Sequence, residues 1–195
     1  MLGAAALPAT ATSMLHRNVA DLIELSELIV LGKVVSVSDG FADGVPYTEV
    51  TLEVTEALKG DVAGLYTFRQ FGLRSPRSLE NGRTYLGVSP EGWPQFEAGE
   101  EVFLFLNREA SQTGLRTTVG LFQGTFHRQR DGFVNGIGNR GLFRNLRIEA
   151  GLLTPAEEAL LTTRSGPAPA EALVSFVRKA VENRWLERGR LQHVK

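Results

Sequence analysis

The stretch 47–56 constrains the fold most strongly, because it alternates between apolar and polar side chains along its whole length. The apolar positions are Val50, Leu52 and Val54, and the polar positions between them are Glu49, Thr51, Glu53 and Thr55. A period of two predicts a β-strand with one face against a core and the other against water. The chain therefore needs a sheet with a covered face.

Four further apolar or alternating segments predict strands near 28–38, 65–71, 101–107 and 116–129. A hairpin partner for the last of these is expected at Phe133 and Val134. The apolar spacing in 18–27 predicts a helix before the first strand, and two helices are expected at the other end. The first begins at a capping box, Thr154-Pro155-Ala156-Glu157. The second carries one apolar stripe, which comprises Leu173, Phe176, Val177, Ala180 and Val181.

The predicted fold class is mainly β with flanking helices (α+β). We expect an OB-like antiparallel β-barrel with an N-terminal helix in residues 12–148 and a C-terminal helical appendage in 149–195, whose two helices pack outside the barrel. Residues 1–11 are expected to be the remnant of a signal peptide or a disordered tail, because Ala9-Thr10-Ala11 fits a small-x-small cleavage site. An exported protein, periplasmic or extracellular, is the first prediction, and a cytoplasmic one is the alternative.

Composition excludes several classes of function. The 195 residues include no cysteine, which removes thiol catalysis, thiolate metal sites and disulfides. Lysine and arginine number 21 against 22 aspartate and glutamate, a net charge of -1 that argues against nucleic acid as a partner. No apolar run approaches the ~18 residues that a membrane span needs.

Motifs for cofactors and metals are weak. His16, His127 and His193 lack partners at metal-binding spacings. Gly136, Gly138 and Gly141 match a dinucleotide fingerprint in spacing, but they follow a hairpin rather than a parallel strand, so we interpret them as a loop. We therefore predict no catalytic residue, no metal and no cofactor, and the enzyme class stays open.

Several segments together resemble a known module. The runs 26–34 and 56–60, with Tyr47 and Thr48 opening a strand between them, are similar to the first strands of the netrin-like module, the OB-type barrel of the tissue inhibitors of metalloproteinases. With 96–106 and 119–126 added, the chain resembles a group of uncharacterised exported bacterial proteins over roughly 12–135. The resemblance implies the barrel only. Those inhibitors grip the zinc of their target through an N-terminal cysteine, which this chain lacks.

The leading functional hypothesis is a non-enzymatic, exported binding module for an extracytoplasmic protein. Ligands of OB-type barrels bind on strands two and three and the adjoining loops. By position, that face would include Tyr47, Arg69, Gln70 and Trp93.

Two alternatives stay open. An extracytoplasmic hydrolase would use carboxylates of the 73–101 loop region, and its candidates are Glu91, Glu97, Glu100 and Glu101. A nucleic-acid-binding OB domain would use a face of arginines and phenylalanines. The arginines are Arg116, Arg128, Arg130, Arg140, Arg144 and Arg147, and the phenylalanines are Phe122, Phe126, Phe133 and Phe143.

Overall fold

The computed structural model of the chain describes residues 15–78, 82–130 and 132–194. The helices are α1 (Val19–Leu25), α2 (Pro155–Leu160) and α3 (Ala170–Glu182), and a 3₁₀ turn spans Leu121–Gln123. The first five strands are β1 (Leu28–Ala42), β2 (Val45–Lys59), β3 (Gly64–Phe71), β4 (Arg77–Ser78) and β5 (Thr84–Tyr85). The others are β6 (Glu101–Leu106), β7 (Thr125–Gln129), β8 (Gly132–Asn135), β9 (Leu146–Ile148) and β10 (Leu191–His193). The mainly β class with flanking helices is confirmed, whereas the predicted tail 1–11 lies outside the described residues.

Six strands form one sheet in the order β3-β2-β1-β6-β7-β8, and every neighbouring pair is antiparallel. Four predicted strands and the β7–β8 hairpin are therefore present. β9 pairs with β10 and β4 with β5 in two small additional sheets.

The predicted strand over 116–129 is wrong in its first half, because the strand begins only at Thr125. Gly120 and Leu121 both adopt positive φ, at 62° and 57°, and open a 3₁₀ turn that a continuous strand cannot contain. The Thr118 hydroxyl donates to the Leu121 carbonyl at 2.7 Å and stabilises this turn.

β-Bulges change which face of β2 is buried. Thr48, Val50 and Leu52 are buried on one face, but the pairing with β1 then skips Thr55, so that Gly32 faces Val54 and Leu31 faces Glu56. Val54, which the alternation places in the core, is only half-buried. Its cross-strand partners are Gly32 and Gly64, and neither has a side chain to cover it.

The sheet separates two hydrophobic cores. The inner core comprises Leu28, Val30, Val34, Val50, Leu52, Phe68, Phe96, Val102, Leu104 and Leu106. The helix-side core lies on the other face and joins α1 and α3 to the sheet, with Ile29, Phe103, Phe105, Phe126 and Phe176 among its members. β6 is buried on both faces from Val102 to Leu106 because alternate side chains enter different cores.

A short segment connects two strands of the sheet that are not neighbours. Leu115 forms a bridge with Arg69 of β3, and Thr118 forms one with Leu106 of β6. β2 and β1 lie between those two strands, a separation of about 14 Å in a flat sheet. Because only two residues separate Leu115 from Thr118, the sheet cannot be flat between these two bridges.

The C-terminal helices pack on the helix-side core as their apolar stripe predicts. The capping box at α2 is confirmed, since the Thr154 amide donates to Glu157 Oε2 at 2.8 Å and the Glu157 amide donates to the Thr154 hydroxyl at 3.3 Å. Beyond the bulge, Glu56 accepts two hydrogen bonds from Arg178 of α3, at 2.6 and 2.7 Å. No helix in the described part of the chain is long and apolar enough to cross a membrane.

Candidate functional site

The sequence-predicted residues Tyr47, Arg69 and Trp93 lie together at the end of the β2–β3 hairpin. Tyr47 is opposite Phe71 in the strand register, and Arg69 is two residues before Phe71 on the same face of β3. The Arg69 guanidinium carbon lies 4.3 Å from the centre of the Tyr47 ring. The ring centres of Trp93 and Phe71 are 6.2 Å apart. We call Tyr47, Arg69, Phe71 and Trp93 the aromatic–arginine patch.

Arg69 is held in place within this patch. Its Nε donates to Glu49 Oε2 at 2.7 Å, and this hydrogen bond raises the pKa of the guanidinium. The pair is exposed, with 44% of the Arg69 side chain accessible, so its effect on stability is small. Its effect is to orient the guanidinium over the Tyr47 ring, where a cation is attracted to the π-face.

Gln70 points to the opposite face of β3 and is only 2% exposed. Its Nε2 donates to the Pro94 carbonyl at 2.7 Å, which fixes the loop next to Trp93. Its Oε1 has no hydrogen-bond partner among the described residues. A buried acceptor without a donor is costly, and such groups in native proteins require an explanation.

Gln70 lines a cleft of about 460 Å³, which we call the β3 cleft. Its walls come from β1, β2, β3, the segment between β3 and β4, and the loop that follows β5. The lining residues are Val37, Asp39, Thr48, Gln70, Arg74, Ser75, Ser89, Pro94, Gln95, Phe96, Glu97 and Glu100. Three carboxylates and one arginine make the cleft polar and acidic overall.

Two of these carboxylates already have partners. Asp39 accepts from the Arg77 guanidinium and, at 2.8 Å, from the Arg74 amide. Glu100 Oε2 accepts from the Glu97 amide at 3.0 Å and lies 3.5 Å from His127 Nδ1. These contacts fix the rim of the cleft.

The four glutamates proposed for a hydrolase site do not lie together in the structure. Glu97 and Glu100 both line the β3 cleft, whereas Glu101 lines a different pocket beside α3 with Arg128 and Arg178. Glu91 is exposed and does not line the cleft. In residues 15–78, 82–130 and 132–194, no three histidine, aspartate or glutamate side chains are grouped as a metal site requires.

Three of the four phenylalanines proposed for a nucleic-acid-binding face are not available for stacking. Phe126, Phe133 and Phe143 are buried in the helix-side core. Arg116 is also largely buried and donates to the Tyr66 hydroxyl at 2.9 Å. Bases stack only on exposed rings, so these phenylalanines cannot contribute.

Sequence reasoning missed Phe71, although its position two residues after Arg69 gave the signal. The partnerless Oε1 of Gln70 had no sequence signal, because it depends on the loop carrying Pro94.

Comparison of the chain with protein-family models, with curated protein sequences and with solved structures gives no match.

Proposed function

We propose that this protein is a non-enzymatic, exported binding module whose partner is an extracytoplasmic protein, and that its sheet is an OB-type, netrin-like barrel. The bridges from Leu115 to Arg69 and from Thr118 to Leu106 support a barrel, since they link strands three positions apart. The inner core supports it as well, because it fills the concave side that a bent sheet encloses.

The aromatic–arginine patch beside the β3 cleft is the observation that carries this proposal. Tyrosine, tryptophan and arginine are the residue types most often found at the energetic centres of protein interfaces. Here Tyr47 and Trp93 are half-buried, and Arg69 is held by its ion pair with Glu49. Little side-chain freedom is therefore lost when a partner binds. Tyr47 lies on β2 and Arg69 on β3, the strands that form the ligand face of OB-type barrels.

The β3 cleft provides the polar part of the surface. A partner that places a donor in the cleft would approach an acceptor, Gln70 Oε1, that lacks one among the described residues. Its acidic rim favours a partner segment with basic or neutral polar side chains.

The test is affinity capture from a cell-envelope extract, followed by binding measurements with the purified partner. The variant Tyr47→Ala/Arg69→Ala/Trp93→Ala should weaken binding by at least about tenfold, since each hot-spot truncation costs about 1–2 kcal/mol. A matched control, Leu161→Ala/Arg188→Ala, changes exposed residues elsewhere and should bind as the wild type does. Equal binding by both variants would exclude the patch as the interface.

The β3 cleft also supports hydrolysis as a second candidate, because Glu97 and Glu100 share it. Ester, peptide and glycoside substrates should then be turned over by the wild type and not by Glu100→Gln. Absence of turnover in the wild type leaves the binding module as the function of this surface.

A further inference from the structure

A second concave surface lies where the two ends of the described chain meet. It has a volume of about 390 Å³ and shares no lining residue with the β3 cleft. Its lining residues are His16, Asn18, Arg140, Gly141, Arg144, Asn145 and His193, and we call it the histidine–arginine cavity. Two of the arginines that the sequence analysis singled out are therefore on one wall.

Backbone contacts hold the three segments of this cavity together. The Val19 amide donates to the Leu142 carbonyl at 2.8 Å, and Asn18 Nδ2 donates to the Arg144 carbonyl at 2.9 Å. On the other side, the Val194 amide donates to the Asn145 carbonyl at 2.8 Å. The wall carrying the arginines is thus fixed to the start of α1 and to the residue after β10.

The charges in the cavity are of one sign. No lining residue is acidic, and no carboxylate within residues 15–78, 82–130 and 132–194 forms an ion pair with Arg140 or Arg144. Both arginines are exposed. Two unpaired guanidinium groups that line one cavity attract an anion to it.

His16 and His193 place imidazole rings on the other walls of the cavity. His16 lies against Gly141, where a Cβ would come within 3.8 Å of its Nδ1. His193 Nδ1 is 2.9 Å from Asp21 Oδ1, and because an ionised carboxylate only accepts, Nδ1 carries the proton. His193 Nε2 is therefore the remaining ring nitrogen, and it donates to an anion only when the ring is in its imidazolium form.

We propose that the histidine–arginine cavity binds a phosphomonoester group. A guanidinium group can donate two parallel hydrogen bonds to two oxygens of one phosphate. Several donors around one volume suit a tetrahedral dianion better than a planar carboxylate. The volume exceeds that of phosphate alone, so it also accommodates part of the group that carries the phosphate. This site is independent of the protein-binding surface on β2 and β3.

The experiment titrates the protein with inorganic phosphate, with glycerol 3-phosphate and with vesicles containing phosphatidic acid, and follows amide resonances of Gly141 and Arg144. The variant Arg140→Gln/Arg144→Gln should lose at least about tenfold in affinity. Arg164→Gln/Arg188→Gln makes the same change in charge at other exposed sites and should bind as the wild type does.

The three probes also identify the source of the phosphate. Tighter binding of glycerol 3-phosphate than of inorganic phosphate assigns the site to a small phosphorylated molecule, and binding of vesicles alone assigns it to a lipid headgroup. The proposal is overturned if no probe binds at millimolar concentration, or if both double variants bind as the wild type does. It is also overturned if a short single-stranded oligonucleotide, a phosphodiester, binds more tightly than every monoester probe.

Discussion

Replacement of Glu157 by glutamine tests how far one buried carboxylate stabilises the C-terminal helices. Glu157 is only 1% exposed, and every oxygen of its side chain has a donor. Oε1 accepts from the Ser175 hydroxyl at 2.7 Å, and Oε2 accepts from Lys179 Nζ and the Thr154 amide, both at 2.8 Å. The Glu157 side chain thus links the start of α2 to α3.

These contacts determine the ionisation of Glu157. Burial by itself would raise the pKa, but the hydrogen bonds from Lys179, Thr154 and Ser175 outweigh it and lower the pKa from its ordinary 4.5 to about 2. Since one pKa unit corresponds to about 1.4 kcal/mol, the ionised form stabilises the fold by about 3 kcal/mol. Lys179 is partly exposed, and screening by solvent reduces this to about 2 kcal/mol.

The sign of the pH dependence follows from the lowered pKa. The folded state binds the Glu157 proton less tightly than the unfolded state, so the stabilisation is complete above about pH 5.5 and is lost as the pH falls towards 2. By pH 3 the wild type should have lost somewhat more than half of this stabilisation, about 1 kcal/mol, because the folded-state pKa lies still lower.

Urea denaturation of the wild type and of Glu157→Gln at pH 7, 5, 4 and 3 measures this directly. Glu157→Gln should be less stable at neutral pH by about 2 kcal/mol, and the difference should shrink as the pH falls. Glu158→Gln, the exposed neighbour on α2, is the matched control and should differ little from the wild type at any of these pH values. A destabilisation of Glu157→Gln that is constant from pH 7 to 3 would refute the electrostatic reasoning.

Three other predictions concern the sheet and the cellular location. Gly32→Ala should cost about 2–4 kcal/mol in thermal or urea unfolding, because its Cβ would lie 2.6 Å from the Glu53 carbonyl oxygen; an unchanged stability would contradict the bulge geometry. Leu52→Ala should cost about 2–5 kcal/mol and Val54→Ala clearly less, and equal losses would show that β2 is not bulged at Thr55. A periplasm-dependent reporter fused behind the complete native upstream region should be active if the protein is exported, and a silent reporter removes export from the proposal.

The sequence predicts the elements of this fold better than their registers. The alternation of Val50 and Leu52 and the capping box at Thr154 depend on neighbours in the chain, so they can be read directly. The bulge at Thr55 cannot be predicted from the sequence, because it depends on which residue of β1 lies opposite each residue of β2. The turn at Gly120 was also missed, since glycine is compatible with strand and turn alike.

The candidate sites, too, contain some residues that the sequence predicts and others that it does not. Tyr47, Arg69 and Trp93 could be named from their position relative to strands two and three, and the structure brings them to one surface. The convergence of Arg144 and His193 could not be predicted, because it requires β10 to return to β9 across a separation of many residues. Contacts between remote segments leave no periodic trace in a sequence.

The bulge in β2 has a consequence for how the protein unfolds. The first half of β2 contributes Val50 and Leu52 to the inner core. The second half contributes Leu58 to the helix-side core, and its Glu56 accepts a hydrogen bond from Arg178 of α3. The pairing of β2 with β1, although bulges interrupt it at three places, therefore supports both cores. Because both cores rest on this pairing, the amide protons of the central strands should exchange through one cooperative opening rather than through two separate ones.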